Sequence, residues 1–259
     1  MKKILILGHG YIGRALSARF PDSVYTSSSQ EKAKLNSAIY FNLNDSDSWK
    51  NIPTDHTVIW TFPAAPLKRV KLFYLSRLQH SKNLLVYASS SCYEVLADDN
   101  LVTEHNPLDC SKPRVAGEEY LRQHNAAILV LSGIYGPQRE PANWLRKGLI
   151  HAYDKTVNLI HRDDIIEITS YLLEHHLAPN GERVNISDGV GVRWSEIAAY
   201  YGISTSQGSM PDGTNGKIVS NSKLRKRLPD DFRFRSLFDA ERPKSKSNQQ
   251  NRPFNYSEK

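Results

Sequence analysis

Three glycines near the amino terminus have the spacing of a loop that binds phosphate groups. They stand in Gly8-His9-Gly10-Tyr11-Ile12-Gly13, directly after the strand-like run Lys3–Leu7. A helix that starts in such a loop presents free N–H groups and its positive dipole end to a phosphate. Gly8 would allow the tight turn, Gly10 the close approach of backbone to a pyrophosphate, and Gly13 close packing of helix on strand. The segment, with Tyr11 and Ile12, predicts a dinucleotide site; a glycine-rich turn without a ligand is the alternative.

The residues after the second predicted strand bear on which dinucleotide is bound. An acidic residue about 20 positions beyond the glycines would hold the ribose 2′-hydroxyl of NAD. This place reads Ser27-Ser28-Ser29, with Lys32 shortly after. Small hydroxyls and a cation suit a 2′-phosphate, because both donate hydrogen bonds to an anion. Ser27, Ser28 and Lys32 therefore favour NADP over NAD, unless the serines form only a polar turn.

Strands and helices alternate along the first half of the chain, as in βαβ units with a parallel sheet. The predicted strands there are Lys3–Leu7, Val24–Thr26, Ala38–Leu43, Val58–Phe62, Leu84–Ala88 and Ala127–Ser132. The predicted helices are Ile12–Phe20, Leu67–His80 and Arg114–Gln123. This alternation predicts an α/β fold, a doubly wound parallel sheet of Rossmann type.

Beyond Gly136-Pro137 the pattern is less regular. Predicted elements are the helices Trp144–His151, Arg162–His176 and Trp194–Tyr201 and the strands Val157–Ile160 and Arg183–Ile186. We expect the Rossmann core to comprise residues 1–135, continued by about 157–190. A small C-terminal substrate lobe would comprise residues 136–156 and 191–242. Residues 243–259 form a basic tail with few apolar residues, which predicts disorder.

Composition and charge argue against several classes of protein. The net charge of the 259 residues is +7, but residues 223–259 alone hold eleven Lys/Arg against five Asp/Glu. Lys223–Arg227 could contact nucleic-acid phosphates, but Leu224 and Leu228 on the same apparent helix favour a solvated basic face instead. No apolar run approaches the roughly 20 residues of a membrane span. Two cysteines without metal-ligand spacing favour a reducing cytoplasm, and no metal is expected. The sequence His161-Arg162-Asp163-Asp164 is expected to begin a helix capped by Asp163 or Asp164.

Six further segments, spread over residues 1 to about 240, carry motifs of one known superfamily. They are Asn42-Leu43-Asn44-Asp45, Ser89-Ser90-Ser91-Cys92-Tyr93, Val102-Thr103-Glu104-His105-Asn106-Pro107, Ser132–Arg139, Ile160–Asp164 and Val184–Gly189, with Glu118 on a helix between them. In this order they resemble the extended short-chain dehydrogenase/reductase superfamily, the NAD-dependent epimerase/dehydratase group. The resemblance implies cofactor contacts at Asn42, Leu43, Thr61, Pro63 and Pro137. It also implies a small polar substrate, with sugar-nucleotide-like molecules as candidates.

One departure from that family affects the chemistry. Active members have a Tyr-x-x-x-Lys pair, in which Tyr is the acid/base and Lys holds the nicotinamide ribose. With Glu118 aligned to the family's helix glutamate, Cys110 and Arg114 occupy these two places, and no tyrosine has a lysine four residues later. The expected general acid for carbonyl reduction is missing. The chain therefore resembles the atypical branch of the family.

Five residues are candidates to act at the reacting group: Ser91, Ser90, Cys110, Arg114 and Tyr93. Ser91, with Ser90 beside it, matches the substrate-orienting hydroxyl of the family, or caps local backbone groups. Cys110 stands near two cations and could act as acid/base or nucleophile, or simply be the small residue left in place of Tyr. Arg114 could bind ribose or phosphate, or be an exposed charge. Tyr93 could supply a displaced phenol, or only pack.

The expected function is that of a cytoplasmic NADP-dependent oxidoreductase or epimerase-type enzyme. Its ligands would lie across the carboxyl ends of the strands, at the switch point of the sheet. The alternative is a non-catalytic NADP-binding sensor or regulatory protein, which the missing Tyr-x-x-x-Lys pair favours. The family resemblance also implies a homodimer through the helices Leu67–His80 and Arg114–Gln123.

Overall fold

The computed structural model describes residues 3–94, 101–204 and 216–240. The strands are β1 (Ile4–Leu7), β2 (Val24–Ser27), β3 (Ile39–Tyr40), β4 (Thr57–Trp60), β5 (Asn83–Ser89), β6 (Leu101–Val102), β7 (Ala127–Leu131), β8 (Gly133–Tyr135), β9 (Thr156–His161), β10 (Arg183–Ile186), β11 (Gly191–Arg193) and β12 (Ile218–Val219). The helices are α1 (Tyr11–Arg19), α2 (Gln30–Leu35), α3 (Leu67–Phe73), α4 (Pro113–Gln123), α5 (Pro141–Arg146), α6 (Arg162–Glu174), α7 (Trp194–Tyr200), α8 (Ser222–Arg225) and α9 (Leu237–Ala240). A π-helical turn, Tyr74–Leu78, extends α3, and 3-10 turns cover Ser46–Asn51 and Ser90–Cys92.

A seven-stranded sheet in the order β10-β7-β5-β4-β1-β2-β3 forms the centre of the molecule, and all its pairs are parallel. Every side chain of β1, β4 and β7 is buried, since helices cover both faces. One apolar core includes residues of α1 and α6, and the other includes residues of α3 and α4. The predicted doubly wound α/β fold is confirmed. The order of the strands reverses between β1 and β4, so the loop after β1 lies at the switch point.

A second, smaller sheet in the order β11-β9-β8 lies outside the central sheet. Its strand β9 falls in the range 157–190 that we assigned to the Rossmann core, but it pairs with β8 and β11. A third apolar core belongs to this part of the chain and includes Tyr135, Leu145, Trp194 and Leu237. The boundaries of the substrate lobe stay a prediction.

Several predicted elements differ in extent from the observed ones. The helix expected at Trp144–His151 begins earlier, at Pro141, because proline suits the first turn of a helix. It ends at Arg146, shortly before Gly148, whose φ is +63°. The two-residue strands β6 and β12 went unpredicted because so short a segment has no periodicity. The predicted disordered tail, 243–259, lies outside the described residues.

Within residues 3–94, 101–204 and 216–240, no helix has both the length and the apolar composition to cross a bilayer. In the same ranges, no group of three or more His, Cys, Asp or Glu side chains could hold a metal ion.

Candidate functional site

The segment Gly8–Gly13, here called the glycine loop, is anchored to the strands on either side of β1. The Gly8 N–H donates to the Thr26 hydroxyl at 2.9 Å, and the His9 N–H donates to the Thr26 carbonyl at 2.8 Å. On the other side, the Thr61 hydroxyl lies 2.9 Å from the Leu7 and Gly8 carbonyl oxygens. Thr61, a predicted cofactor contact, thus helps to hold the loop in place.

The three glycines meet different surroundings. Gly8 has φ +101°, and a Cβ there would lie 2.7 Å from the Thr61 hydroxyl oxygen. A Cβ at Gly13 would lie 1.9 Å from the Gly8 carbonyl oxygen, because α1 packs directly on the loop. A Cβ at Gly10 would meet no other atom within 4 Å. Gly8 and Gly13 are therefore required by the fold, whereas Gly10 borders open space.

The first helical residue joins the glycine loop to the loop after β8. The Tyr11 hydroxyl donates to the Pro137 carbonyl at 3.0 Å. The guanidinium groups of Arg139 and Arg162 lie 5.2 and 5.4 Å from the centre of the Tyr11 ring. Partial burial raises the pKa of Tyr11, although both arginines oppose the shift. Ile12 is buried in the core. The structure thus brings Tyr11 and Pro137 together beside the loop.

The serines after β2 take part in local turns. The Ser29 hydroxyl accepts from the Lys32 N–H at 3.3 Å as the N-cap of α2, and the Ser29 N–H donates to the Ser27 hydroxyl at 3.4 Å. The side chains of Ser28 and Lys32 are exposed. The side chains of Ser28 and Lys32 are therefore available to a ligand. Ser27 and Ser29 form the local polar turn that the sequence predicts as the alternative to a 2′-phosphate site.

The remaining predicted cofactor contacts lie near the carboxyl ends of β3 and β4. The Asn42 side-chain oxygen accepts from the Asn44 N–H at 2.9 Å and so closes a local turn. Leu43 is buried in the core next to it, and Pro63 is exposed. Their contact with a cofactor stays a prediction.

Ser90 and Ser91 differ in how their hydroxyls are used. The Ser91 hydroxyl donates to the Ser89 hydroxyl at 3.1 Å, and the Ser91 N–H donates to the same oxygen at 3.3 Å. Among the described residues, the half-buried Ser90 hydroxyl has no hydrogen-bond partner. The Ser90 hydroxyl can therefore bond to a ligand without giving up an internal hydrogen bond; its role in orienting a substrate stays a prediction.

Tyr93 does not present its hydroxyl to a cleft. The side chain is 2% exposed, and its hydroxyl donates to the Asn185 side-chain oxygen at 2.6 Å. Burial raises the pKa of this phenol far above its usual value. The geometry argues against the displaced phenol and favours the packing alternative.

Cys110 and Arg114 do not reproduce the missing Tyr-x-x-x-Lys pair. Cys110 is exposed. Arg114 contacts Glu118, with 2.5 Å between Nε and Oε1, and donates to the Tyr87 carbonyl at 3.1 Å. Glu118 is fully buried, and burial raises its pKa although Arg114 opposes the shift. Arg114 is thus directed to α4 and β5.

Sequence reasoning missed Lys217, which lies beside Ser90. Its ammonium donates to the Ser90 carbonyl and stands 5.8 Å from the centre of the Tyr93 ring. Burial lowers the pKa of Lys217; Cys92 opposes the shift, and the ammonium groups of Lys112 and Lys155 add to it. No sequence signal marks this lysine, because tertiary contacts such as the pairing of β12 with β6 bring it to the end of β5.

The helix cap expected at Asp163 or Asp164 is formed instead by His161. The Asp163 N–H donates to the His161 Nδ1 at 3.2 Å, so this ring nitrogen is an acceptor. Burial lowers the pKa of His161, in keeping with a neutral ring. Asp164 is fully buried and contacts Arg235. The predicted cap is wrong because the helix begins at Arg162, so that His161 is the N-cap residue and its ring accepts from the Asp163 N–H.

Comparisons with known proteins place the fold. No family model matches the chain. Protein YeeZ of Escherichia coli K12 is 26% identical over 269 residues, covering 90% of this chain and 97% of its own. A UDP-glucuronic acid 4-epimerase variant from Bacillus cereus, solved with NAD and a fluorinated UDP-sugar, has a TM-score of 0.71 at 18% identity, with 92% and 96% of the two chains covered.

A third similar structure is a short-chain dehydrogenase/reductase superfamily protein from Agrobacterium tumefaciens with bound NAD. Its TM-score is 0.66 at 15% identity, and the match covers 87% of this chain and 91% of that one. At such identities the likeness concerns the fold. This chain therefore shares the Rossmann fold of these two NAD-containing structures.

Proposed function

We propose that this protein is an NADP-dependent enzyme of the oxidoreductase or epimerase/dehydratase type that acts on a small polar substrate. The open space at Gly10 carries the proposal. Positions 8 and 13 require glycine because a Cβ there would collide with other atoms of the protein. A Cβ at Gly10 would meet no atom within 4 Å. Close approach of a bound pyrophosphate to the backbone explains why this position has no side chain.

The start of α1 suits an anionic ligand. Its N-cap residue, Gly10, has no capping side chain, and the first turn has no acidic residue. Its free N–H groups are therefore available to phosphate oxygens. The bound dinucleotide would supply hydride chemistry, while the glycine loop would hold it and Ser90 would orient the substrate.

The preference for NADP rests on Ser28 and Lys32 of this chain. Both are exposed next to the end of β2, and no carboxylate stands at Ser27–Ser29. The test is to measure the dissociation constants of NADP⁺ and NAD⁺ by titration calorimetry. We expect NADP⁺ to bind about tenfold more tightly, the effect of one or two charged hydrogen bonds.

The matched variants are Lys32→Glu and Lys34→Glu, two exposed lysines of the same helix. Only Lys32→Glu should remove the preference for NADP⁺. Tighter binding of NAD⁺ by the wild-type protein would contradict the proposed cofactor, and an equal effect of both variants would contradict the role of Lys32.

Activity is tested with NADPH and carbonyl compounds, following absorbance, and with UDP-sugars, following product by chromatography. UDP-sugars are among the test substrates because the B. cereus structure contains a UDP-sugar derivative. Turnover that falls in Ser90→Ala but persists in Ser91→Ala would support the enzyme and the assignment of Ser90.

A non-catalytic NADP-binding sensor is the second candidate. The exposure of Cys110 and the contact of Arg114 with Glu118 favour it, because neither residue replaces the missing acid and ribose-binding pair. Tight NADP⁺ binding without turnover of any tested substrate would support this function over the enzyme.

The homodimer through α3 and α4 also stays a prediction, as does the cytoplasmic location. Leu72 and Leu75, which lie in α3 and its π-helical extension, are 46% and 52% exposed. Light scattering on the purified protein measures the oligomeric state.

A further inference from the structure

We propose that Lys217 binds an oxyanion of the substrate, a carboxylate or a phosphate group, and so holds the substrate against Ser90. The inference rests on the proposed function and deepens it, since it assigns an acidic group to the substrate. It arises from the position of the Lys217 ammonium, its unused donors and the charges around it.

The position of Lys217 is fixed by the backbone on both sides. The Val219 N–H donates to the Asn158 side-chain oxygen at 2.7 Å, and the Asn158 amide donates to the Lys217 carbonyl. This clamps the segment to β9, while Ile218 and Val219 pair with β6. The Lys217 ammonium then reaches the Ser90 carbonyl at the carboxyl end of β5. Ligands of open α/β sheets bind at this edge.

The Lys217 ammonium retains unused hydrogen-bonding capacity. An ammonium has three donors, and the Ser90 carbonyl accepts one of them. Among residues 3–94, 101–204 and 216–240, no carboxylate forms an ion pair with Lys217. A half-buried ammonium with unused donors is stabilised more by an anionic ligand than by a neutral one.

The surrounding charges also favour an anion. The charged groups that act on Lys217 are the ammonium groups of Lys112, from the start of α4, and Lys155, from just before β9. Lys112 is partly compensated by Asp109, at 2.8 Å. The buried Cys92 thiol, from the turn after β5, has its pKa raised to about 11 and is uncharged at neutral pH. The charged groups that act on the Lys217 ammonium at neutral pH are thus cations.

The proposal predicts a direction for the effect of pH. An anion bound to Lys217 raises the pKa of the ammonium, because opposite charge stabilises the protonated form. At a pH near or above the pKa of Lys217 in the free protein, binding of the anion is therefore accompanied by proton uptake. The affinity for the anion falls as the pH rises through that pKa.

The experiment titrates inorganic phosphate, and separately malonate, into protein saturated with NADP⁺, using calorimetry. Saturation prevents phosphate from entering the glycine loop. Lys217→Met removes the charge and keeps the length of the side chain, and Lys217→Arg keeps the charge. Lys226→Met is the control at an exposed lysine that follows α8. We expect about ten- to hundredfold weaker phosphate binding in Lys217→Met. Lys217→Arg and Lys226→Met should bind nearly as well as wild type. Comparison of the phosphate and malonate series identifies which oxyanion is preferred.

The NADP⁺ affinity of each variant separates the two proposals. Weaker phosphate and malonate binding in Lys217→Met, at unchanged NADP⁺ affinity, supports the role of Lys217. Equal binding of both anions by wild type and Lys217→Met would overturn it and leave the proposed function standing. Failure of the wild-type protein to bind NADP⁺ would overturn the proposed function, and the same titrations without NADP⁺ would still decide on Lys217.

Discussion

A methyl group at Gly10 would lie more than 4 Å from every other atom outside its chain neighbours, whereas one at Gly13 would lie 1.9 Å from the Gly8 carbonyl oxygen. The two glycines therefore have separable roles at the scale of single residues. Gly13 allows α1 to pack on the glycine loop. Gly10 leaves room for a ligand without serving any contact within the protein.

We predict that alanine has very different effects on stability at these two positions. Gly10→Ala should lower the urea-unfolding free energy by no more than about 1 kcal/mol, because alanine is a poorer N-cap than glycine, but it should weaken NADP⁺ binding strongly. Gly13→Ala should lower the unfolding free energy by several kcal/mol or prevent folding, because backbone must shift. Titration calorimetry and urea unfolding measure both. Wild-type NADP⁺ affinity in a folded Gly10→Ala protein would contradict the placement of the pyrophosphate.

At the scale of elements, α4 is held to the sheet by charged groups as well as by apolar packing. Arg114 links Glu118 to the Tyr87 carbonyl of β5. The next residue of α4, Glu119, contacts Arg183 of β10 at 2.5 Å. One Glu118 oxygen and the Arg183 Nε are buried without a partner among the described residues. Removal of one charge from this cluster should therefore lower the free energy of unfolding.

Glu118→Ala should lower the unfolding free energy by about 3 kcal/mol, because it leaves Arg114 without its buried partner. The control is Glu31→Ala on the exposed face of α2, which should change stability by less than about 0.5 kcal/mol. The double variant Glu118→Leu with Arg114→Met should recover part of the loss. Urea unfolding measures all three, and a Glu118→Ala protein as stable as the Glu31→Ala control would refute the importance of the pair.

At the scale of the whole molecule, the segment before α9 returns to the start of α6. Arg235 contacts the fully buried Asp164 and also Glu167, and its N–H donates to Asp164 at 2.9 Å. Burial raises the pKa of Asp164, and Arg235 opposes the shift. The interaction fixes the end of the described chain against the Rossmann core.

Arg235→Met should lower the unfolding free energy at pH 7 by about 2 kcal/mol, a value reduced for the partial exposure of the arginine. Without Arg235 the pKa of Asp164 rises further, so the folded protein binds a proton more readily than the unfolded chain. The deficit should therefore shrink as the pH falls from 7 towards about 4.5. Urea unfolding at both pH values tests this, with the exposed Arg233→Met as control; a deficit that grows with acidity would contradict it.

The central sheet and the glycine loop could be predicted from the sequence because their signals are local. Buried parallel strands appear as short apolar runs, and a Gly-x-Gly-x-x-Gly segment between strand and helix is typical of a dinucleotide site. The strand expected at Arg183–Ile186 is confirmed residue for residue. Less of the candidate site could be predicted, since whether the Ser90, Ser91 and Tyr93 hydroxyls are free depends on partners distant in sequence, such as Asn185.

Local sequence patterns specify the α/β class, the glycine loop at the end of the first strand, and the loss of the Tyr-x-x-x-Lys pair. Only the folded chain shows that Gly10 alone of the three glycines borders open space, that Arg114 pairs with Glu118, and that Lys217 lies at Ser90. The difference arises from the range of the interactions. Periodicity and turn chemistry act between near neighbours, whereas the surroundings of a site are built from side chains that only the folded backbone brings together.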